Sequence, residues 1–308
     1  MEQLPVISYQ NLLDTQDTEV TEHAAEAFTE IGFFILKDHP LSSSLQNDAY
    51  RAFEQFFSLS DKQKLVYSRP NLHYQRGYTG KNKEKAVGSN VPDLKEFYHV
   101  GQPTGAELGL PENVWPTEVP MVRDSAIRVF TTLEEIGLQI LRQVALHLNL
   151  DADYFSGHVR GGNSILRPIH YYPLDQAVPA GAVRAAAHGD INLITLLMGA
   201  SAEGLQVQSR QGHWIDANPE KDELVINVGD MLDRLTNHTL KSTVHRVINP
   251  RHEAKSRARY SMPFFMHPKS NMDLTPLPQC VTSTNPKRYE NQTAGQFLQA
   301  RLKEIGLA

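Results

Sequence analysis

His188 and Asp190 stand two residues apart, and His245 follows 57 positions after His188 (188 to 245). Two imidazoles and a carboxylate form one donor set only if the fold brings these distant segments face to face. Residues two apart on an extended chain project to the same side. His188 and Asp190 can therefore reach a common point, with Gly189 permitting a bend between them. If 241–248 is a strand, Lys241, Thr243, His245 and Val247 share one of its faces. His245 then points into the lumen of a barrel, and the site exists only once that barrel has closed.

The chain from about Ser164 onward suits such a barrel. Short strand-like segments recur at 164–171, 192–198, 204–208, 223–228, 241–248 and 257–266. Turn residues separate them, among them Gly199, Arg210-Gln211-Gly212, Asn218-Pro219, Gly229-Asp230 and Asn249-Pro250. Strands at this spacing predict a sandwich or a closed barrel, and a jelly roll is the reading adopted.

The preceding chain reads as mixed α/β. Leu4–Ile7 and Phe33–Leu36 are apolar strand candidates, with helical spacing over 18–30 and 42–59. Residues 68–122, rich in Gly, Pro, Asn and Lys, read as long irregular loops around a mouth. A long apolar stripe over 123–148 and an amphipathic pattern over 293–305 predict two further helices. The expected architecture is mainly β with flanking helices. A double-stranded β-helix (jelly-roll) core is preceded by a mixed α/β region, divided as 1–122 and 123–308 within one integrated unit.

Ligand chemistry selects the metal. Cys280 is the one cysteine, so a thiolate-rich structural zinc site is ruled out, and its thiol is expected to be inert. Two imidazoles and one carboxylate suit non-haem Fe(II), with Zn(II), Mn(II) or Co(II) as substitutes in purified material. Thirteen histidines make a His-x-Asp pair weak by itself. His23, His147, His158, His213 and His252 have no partner pattern, and His238 is a secondary candidate ligand. What strengthens the triad is Arg259-Tyr260-Ser261. Arg259 and Ser261 share a strand face, and a guanidinium fork matches a carboxylate. A buried arginine needs an anion, so a small dicarboxylate is the expected ligand. Arg257, on the same face, is the competing candidate.

A net charge of −5 argues against nucleic-acid and anionic-membrane partners. No apolar run approaches bilayer length and no secretion pattern opens the chain. A cytoplasmic monomer acting on a small molecule is expected.

Across nearly its whole length the chain resembles the 2-oxoglutarate and Fe(II)-dependent oxygenases of the isopenicillin N synthase-like group. The resemblance rests on Leu4-Pro-Val-Ile7, Ile31-Gly-Phe-Phe34, Arg76-Gly-Tyr78 and Asp93-Leu-Lys-Glu96, then Leu166–Pro173, His188-Gly-Asp190, Gly204-Leu-Gln-Val207, Asn227-Val-Gly-Asp230, His245–Pro250 and Arg259-Tyr-Ser261. It implies that His188, Asp190 and His245 ligate iron and that Arg259 and Ser261 hold the far carboxylate of 2-oxoglutarate. It also places Tyr172 against the co-substrate. O2 is then consumed, succinate and CO2 are released, and a substrate C–H is oxidised, most simply to an alcohol. His170 stands where plant members usually carry Asn. A same-fold oxidase that uses no 2-oxoglutarate and a non-enzymatic metal or ligand sensor are the alternatives. Tyr74, Tyr98, His99, Arg184 and Phe265 are candidates for the substrate lip.

Overall fold

The structure is a computed structural model that describes residues 3–81, 83–84, 92–174, 183–199, 204–249 and 257–305. The first part comprises β1 (Val6–Ser8), α1 (Tyr9–Leu12), α2 (Thr18–Glu30), β2 (Phe33–Lys37), α3 (Ser43–Phe57), α4 (Asp61–Leu65), β3 (Gly77–Thr79) and β4 (Glu96–His99). Next come α5 (Met121–His147), α6 (Tyr154–Val159), β5 (Ile165–Leu166), β6 (Ile169–Tyr171), β7 (Ala185–His188), β8 (Ile194–Met198) and β9 (Leu205–Gln208). The chain continues through β10 (Trp214–Asp216), β11 (Leu224–Val228), α7 (Asp230–Leu235), β12 (His245–Val247), β13 (Arg259–Met266) and α8 (Ala294–Glu304).

Among the described residues the strands form two sheets. The major one runs β1-β2-β11-β8-β13-β6-β4-β3, with β5 also pairing with β13; the minor one runs β10-β9-β12-β7. This is the expected double-stranded β-helix. Alternation along the major sheet sorts side chains to two buried faces. Ile194, Leu196, Met198, Leu224, Ile226, Met262 and Phe264 belong to the large core on one face. Phe33, Ile35, Val225, Ile169, Tyr171, Leu205 and Val207 form a second core on the other, inside the barrel. Both faces of β8 and β11 are thus covered, which explains why these segments are almost wholly apolar.

Helix α5 covers the outer face and packs against α2, α3, β8 and β13. Its stripe Val129, Leu133, Ile136, Ile140 and Val144 is almost completely buried. Each such side chain contributes about 1.5–3 kcal/mol. Gly137 costs the helix roughly 1 kcal/mol relative to alanine. A Cβ there would meet the terminal Cε and Sδ of Met266 on β13 at 2.6 and 2.7 Å, so that side chain would have to move. Helix α2 starts where Asp17 accepts hydrogen bonds from the Glu19 and Val20 amides, and α8 starts on a Thr293–Gln296 capping box.

The N-terminal region builds part of the barrel sheet. β2 pairs antiparallel with β11, bringing Phe33 opposite Asn227, and parallel with β1. Two readings need correction. Residues 68–122 are not all loop, because β3 and β4 extend the sheet beyond β6. All four residues of β4 are buried, so no polar-apolar alternation marks it. Glu96 is tolerated there because Lys64 (2.8 Å), His170 (2.7 Å) and Tyr78 surround its carboxylate. The segment 241–248 is a strand only over His245–Val247. Residues 85–91, 175–182 and 250–256, which include part of the expected mouth, lie outside the described residues.

Candidate active site

His188 is the last residue of β7, and β7 pairs with β12 so that His188 faces His245 directly. The imidazole centroids are 4.5 Å apart. Asp190 lies two residues beyond the end of β7, outside the extended segment on which the shared-face argument rests. The Asp230 amide fixes the main chain there by donating to the Asp190 carbonyl at 2.7 Å. A Cβ on Gly189 would lie 3.0 Å from Ser242 Oγ and 3.1 Å from Asp230 Oδ1, so glycine is what lets these segments close up. One ligand atom from each of His188, Asp190 and His245 falls within 4.8 Å of the others.

The protein has oriented these donors. His188 Nδ1 is 2.6 Å from the Ala186 carbonyl, and His245 Nδ1 is 3.3 Å from the Thr243 carbonyl. A carbonyl only accepts, so each Nδ1 carries a proton and Nε2 is the nitrogen left to ligate a metal. His245 Nε2 lies 3.8 Å from Asp190 Oδ1. The other oxygen, Oδ2, accepts from Thr195 Oγ1 at 2.6 Å and from Asn227 Nδ2 at 2.8 Å. Burial alone would raise the Asp190 pKa. His245, His188 and these two hydrogen bonds outweigh it and hold the group ionised below the ordinary range. Burial, then the neighbouring His245, keep His188 neutral well below the usual histidine range. Two imidazole nitrogens and one fixed carboxylate fit a divalent borderline cation.

Arg259 and Ser261 open β13 and are 1% and 3% exposed. They line a narrow inner cavity of about 70 Å³ together with His188, Asp190, His245 and Asn227. The Arg259 guanidinium lies 5.0 Å from the centroid of the Tyr171 ring. A wider outer cavity of about 230 Å³ adjoins it and shares His188, Asp190, Arg167 and Phe265. Its far wall comes from α8 and the residue after it, through Leu298, Arg301, Leu302 and Ile305.

Two family models match the chain. One is described as non-haem dioxygenase in morphine synthesis N-terminal and matches residues 4–118; the other is the 2OG-Fe(II) oxygenase superfamily and matches residues 163–268. The chain belongs to the 2-oxoglutarate–Fe(II) oxygenases. A proline hydroxylase from Petromyces alliaceus is 30% identical over 98% of each chain. A 2OG-Fe(II) oxygenase family protein from Caulobacter crescentus is 40% identical, with a TM-score of 0.86 over 99% of this chain and 100% of that one. A full-length Neurospora crassa protein, solved in complex with α-ketoglutarate and thymine, is 30% identical, with a TM-score of 0.86 over 97% of this chain and 96% of that one. This oxygenase is accordingly an iron enzyme that uses 2-oxoglutarate and O2 to oxidise a small molecule.

The remaining candidates are placed as follows. Tyr172 does not line the inner cavity: it packs on Leu94 and Leu174 with Lys81 over its ring, while Tyr171 faces the lumen opposite Arg259. His170 points away, bonded to Glu96 and stacked on Tyr260 at 4.8 Å. Of the lip candidates, Phe265 lines both cavities. Tyr98 is a core residue among Phe53 and Phe56. His99 is buried and accepts from Arg167 Nε at 2.5 Å. Arg184 is buried, with Nη2 donating to the Arg257 carbonyl at 3.0 Å. Tyr74 lends its carbonyl to His99. His238 is bonded to Asp233 and stands apart from the triad. Burial pushes the Cys280 thiol pKa up, consistent with inertness. Among the described residues no helix is long and apolar enough to cross a membrane. Sequence reasoning missed Thr195, Asn227, Tyr171 and Arg167. Asn227 and Thr195 were findable as polar interruptions in apolar strands.

Proposed function

We propose that His188, Asp190 and His245 are the protein ligands of Fe(II), and that Arg259 and Ser261 hold the far carboxylate of 2-oxoglutarate. The supporting observation is that one narrow cavity is lined by both groups. Bound iron supplies the chemistry that couples decarboxylation of 2-oxoglutarate to oxidation of a substrate C–H. The residues do the rest. Asp190 is held ionised and fixed in direction by Thr195 and Asn227, and each histidine is locked in the tautomer that presents Nε2. Arg259 offers donors in a planar fork to a carboxylate, and Ser261 adds a hydroxyl. Tyr171, the neighbour of Tyr172, is the candidate for the co-substrate wall. Phe33, packed edge-on at 5.5 Å from His245, helps exclude water from the lumen.

The outer cavity takes the substrate, with hydroxylation as the expected outcome. Residues 1–122 act as the sheet-completing region and 123–308 as the catalytic one. The thymine bound by the Neurospora protein and the proline of the Petromyces hydroxylase are the first substrates to try. The test is spectroscopic. Anaerobic Fe(II) with 2-oxoglutarate should give a weak visible charge-transfer band that His188→Ala abolishes. Absence of the band in reconstituted wild type refutes the assignment. Succinate release during turnover separates this reading from an oxidase that uses no 2-oxoglutarate.

A further inference from the structure

The outer cavity contains a histidine that neither the metal set nor the carboxylate clamp uses. His267 directly follows β13 and continues its alternation: Arg259, Ser261, Pro263 and Phe265 line the inner cavity, and Phe265 and His267 the outer one. Its main chain is fixed. The amide donates to Ser164 Oγ at 3.2 Å, and that hydroxyl lies 3.3 Å from the His267 carbonyl. The side chain is only 7% exposed, yet Nδ1 is buried with no hydrogen-bond partner among the described residues. Buried imidazole nitrogens are normally satisfied, so His267 lines the outer cavity with hydrogen-bonding capacity that no described residue uses. Burial, with the Arg167 guanidinium nearby, pushes the pKa down to about 4. At pH 7 the ring therefore offers one donor and one acceptor.

Among the described residues, charge in the surrounding wall is already balanced. Arg167 pairs with Glu84 at 3.2 Å, Glu84 with Lys95 at 2.7 Å and Lys95 with Asp93 at 2.8 Å. Across the cavity Arg301 pairs with Asp230 at 3.1 Å. Asp190 belongs to the metal set, and each described cation of this wall already has a carboxylate, so a charged ligand would enter without a counter-ion. Arg167 is nevertheless a donor-only group at the boundary of the two cavities, sandwiched between Phe97 and Phe265 at 4.6 and 4.9 Å. Its Nε donates to His99 and its Nη1 to Glu84, and its positive charge favours an acceptor on the ligand. Phe265, Leu298 and Leu302 supply an apolar side.

We propose that His267 is a substrate-recognition residue, and that the substrate is a compact uncharged molecule presenting a hydrogen-bond donor beside an acceptor, as a lactam or imide does. The polar edge meets His267 and Arg167, and the apolar side packs on Phe265 and Leu302. This rests on the reading of the inner cavity as the co-substrate site.

Matched six-membered probes test it on the anaerobic Fe(II)–2-oxoglutarate enzyme, with perturbation of the charge-transfer band reporting binding. The probes are 2-piperidone, 1-methyl-2-piperidone and cyclohexanecarboxylate. The lactam should bind about 10-fold or more tightly than either of the others, since one hydrogen bond or an unmatched charge separates them. His267→Ala should weaken lactam binding about 10-fold and erase the preference over the N-methyl compound. His267→Asn, which keeps a donor and an acceptor, should restore most of it, and it also serves if the alanine variant folds poorly. Preference for the carboxylate, a band that no probe perturbs, or unchanged preference in both variants overturns the proposal. A missing band before any probe is added overturns the inner-cavity assignment instead, and this proposal with it.

Discussion

Replacing Thr195 by valine removes one hydroxyl from a site that is 3% exposed and changes the volume very little. The hydroxyl donates to Asp190 Oδ2 at 2.6 Å, with Asn192 Nδ2 donating to the hydroxyl in turn at 3.1 Å. Asn192 keeps its bond to the Ile194 carbonyl, while its second N–H loses the Thr195 acceptor. A hydrogen bond to a charged group contributes about 1.5–3 kcal/mol. Since 1.4 kcal/mol is a factor of about ten, Fe(II) affinity should fall by roughly 10- to 100-fold, in line with the usual effect of outer-shell partners. The sign of the pH effect follows from the same bond. Asp190 is held below its ordinary pKa in part by Thr195, so losing that bond raises the pKa. Metal should then be lost at higher pH on acidification than in the wild type. Titrating Fe(II) anaerobically into enzyme with saturating 2-oxoglutarate, across pH 5 to 8, measures both. An Fe(II) affinity within a factor of two of wild type at neutral pH, in a variant of unchanged thermal stability, would refute the claim that Thr195 orients and charges the carboxylate.

Arg259→Ala should raise the 2-oxoglutarate requirement by roughly 30-fold or more, because a ligand charge loses its buried partner, while direct metal titration stays near wild type; loss of metal instead assigns Arg259 another role. Glu96→Gln addresses stability. Burial raises the Glu96 pKa, but hydrogen bonds from His170, Lys64 and Tyr78 outweigh that and bring it to about 2, roughly 2.5 units below the free value, or about 3 kcal/mol. A folded-state pKa depressed in this way gives stability that is present above the free value near 4.5 and lost as pH falls towards 2. The glutamine variant should therefore be about 3 kcal/mol less stable in urea at pH 7 and should lose less on going to pH 3. Equal midpoints for both proteins at pH 7 would contradict this.

The sequence was most legible where alternation is long and unbroken. β13 shows Arg259 and Ser261 on one face in both sequence and structure, and the same period reaches His267 one step past the end of the segment read as strand. Parity failed at adjacent tyrosines. Pro168 separates β5 from β6, and without a register for β6 nothing in Tyr171-Tyr172 says which ring faces the lumen; the pairing of Tyr171 with Arg259 decides it. β4 was illegible because its buried carboxylate, Glu96, is matched by Lys64 from a helix 32 residues away. Such a pair leaves no local pattern. The metal set was legible as residue types, but its geometry was not: Asp190 lies past the end of β7 and is held by the Asp230 amide, a contact 40 residues distant.

The seat of β2 between β1 and β11 has a consequence during synthesis. Its antiparallel partner, Leu224–Val228, emerges from the ribosome roughly 190 residues after Lys37. At about 5–20 residues per second, Phe33–Leu36 waits on the order of 10 to 40 seconds for that partner. During that wait an apolar four-residue strand has at most β1 beside it and an open edge on its other side. Aggregation of the nascent chain, and any chaperone that prevents it, should therefore act first at residues 33–36, far from the iron site that the finished sheet encloses.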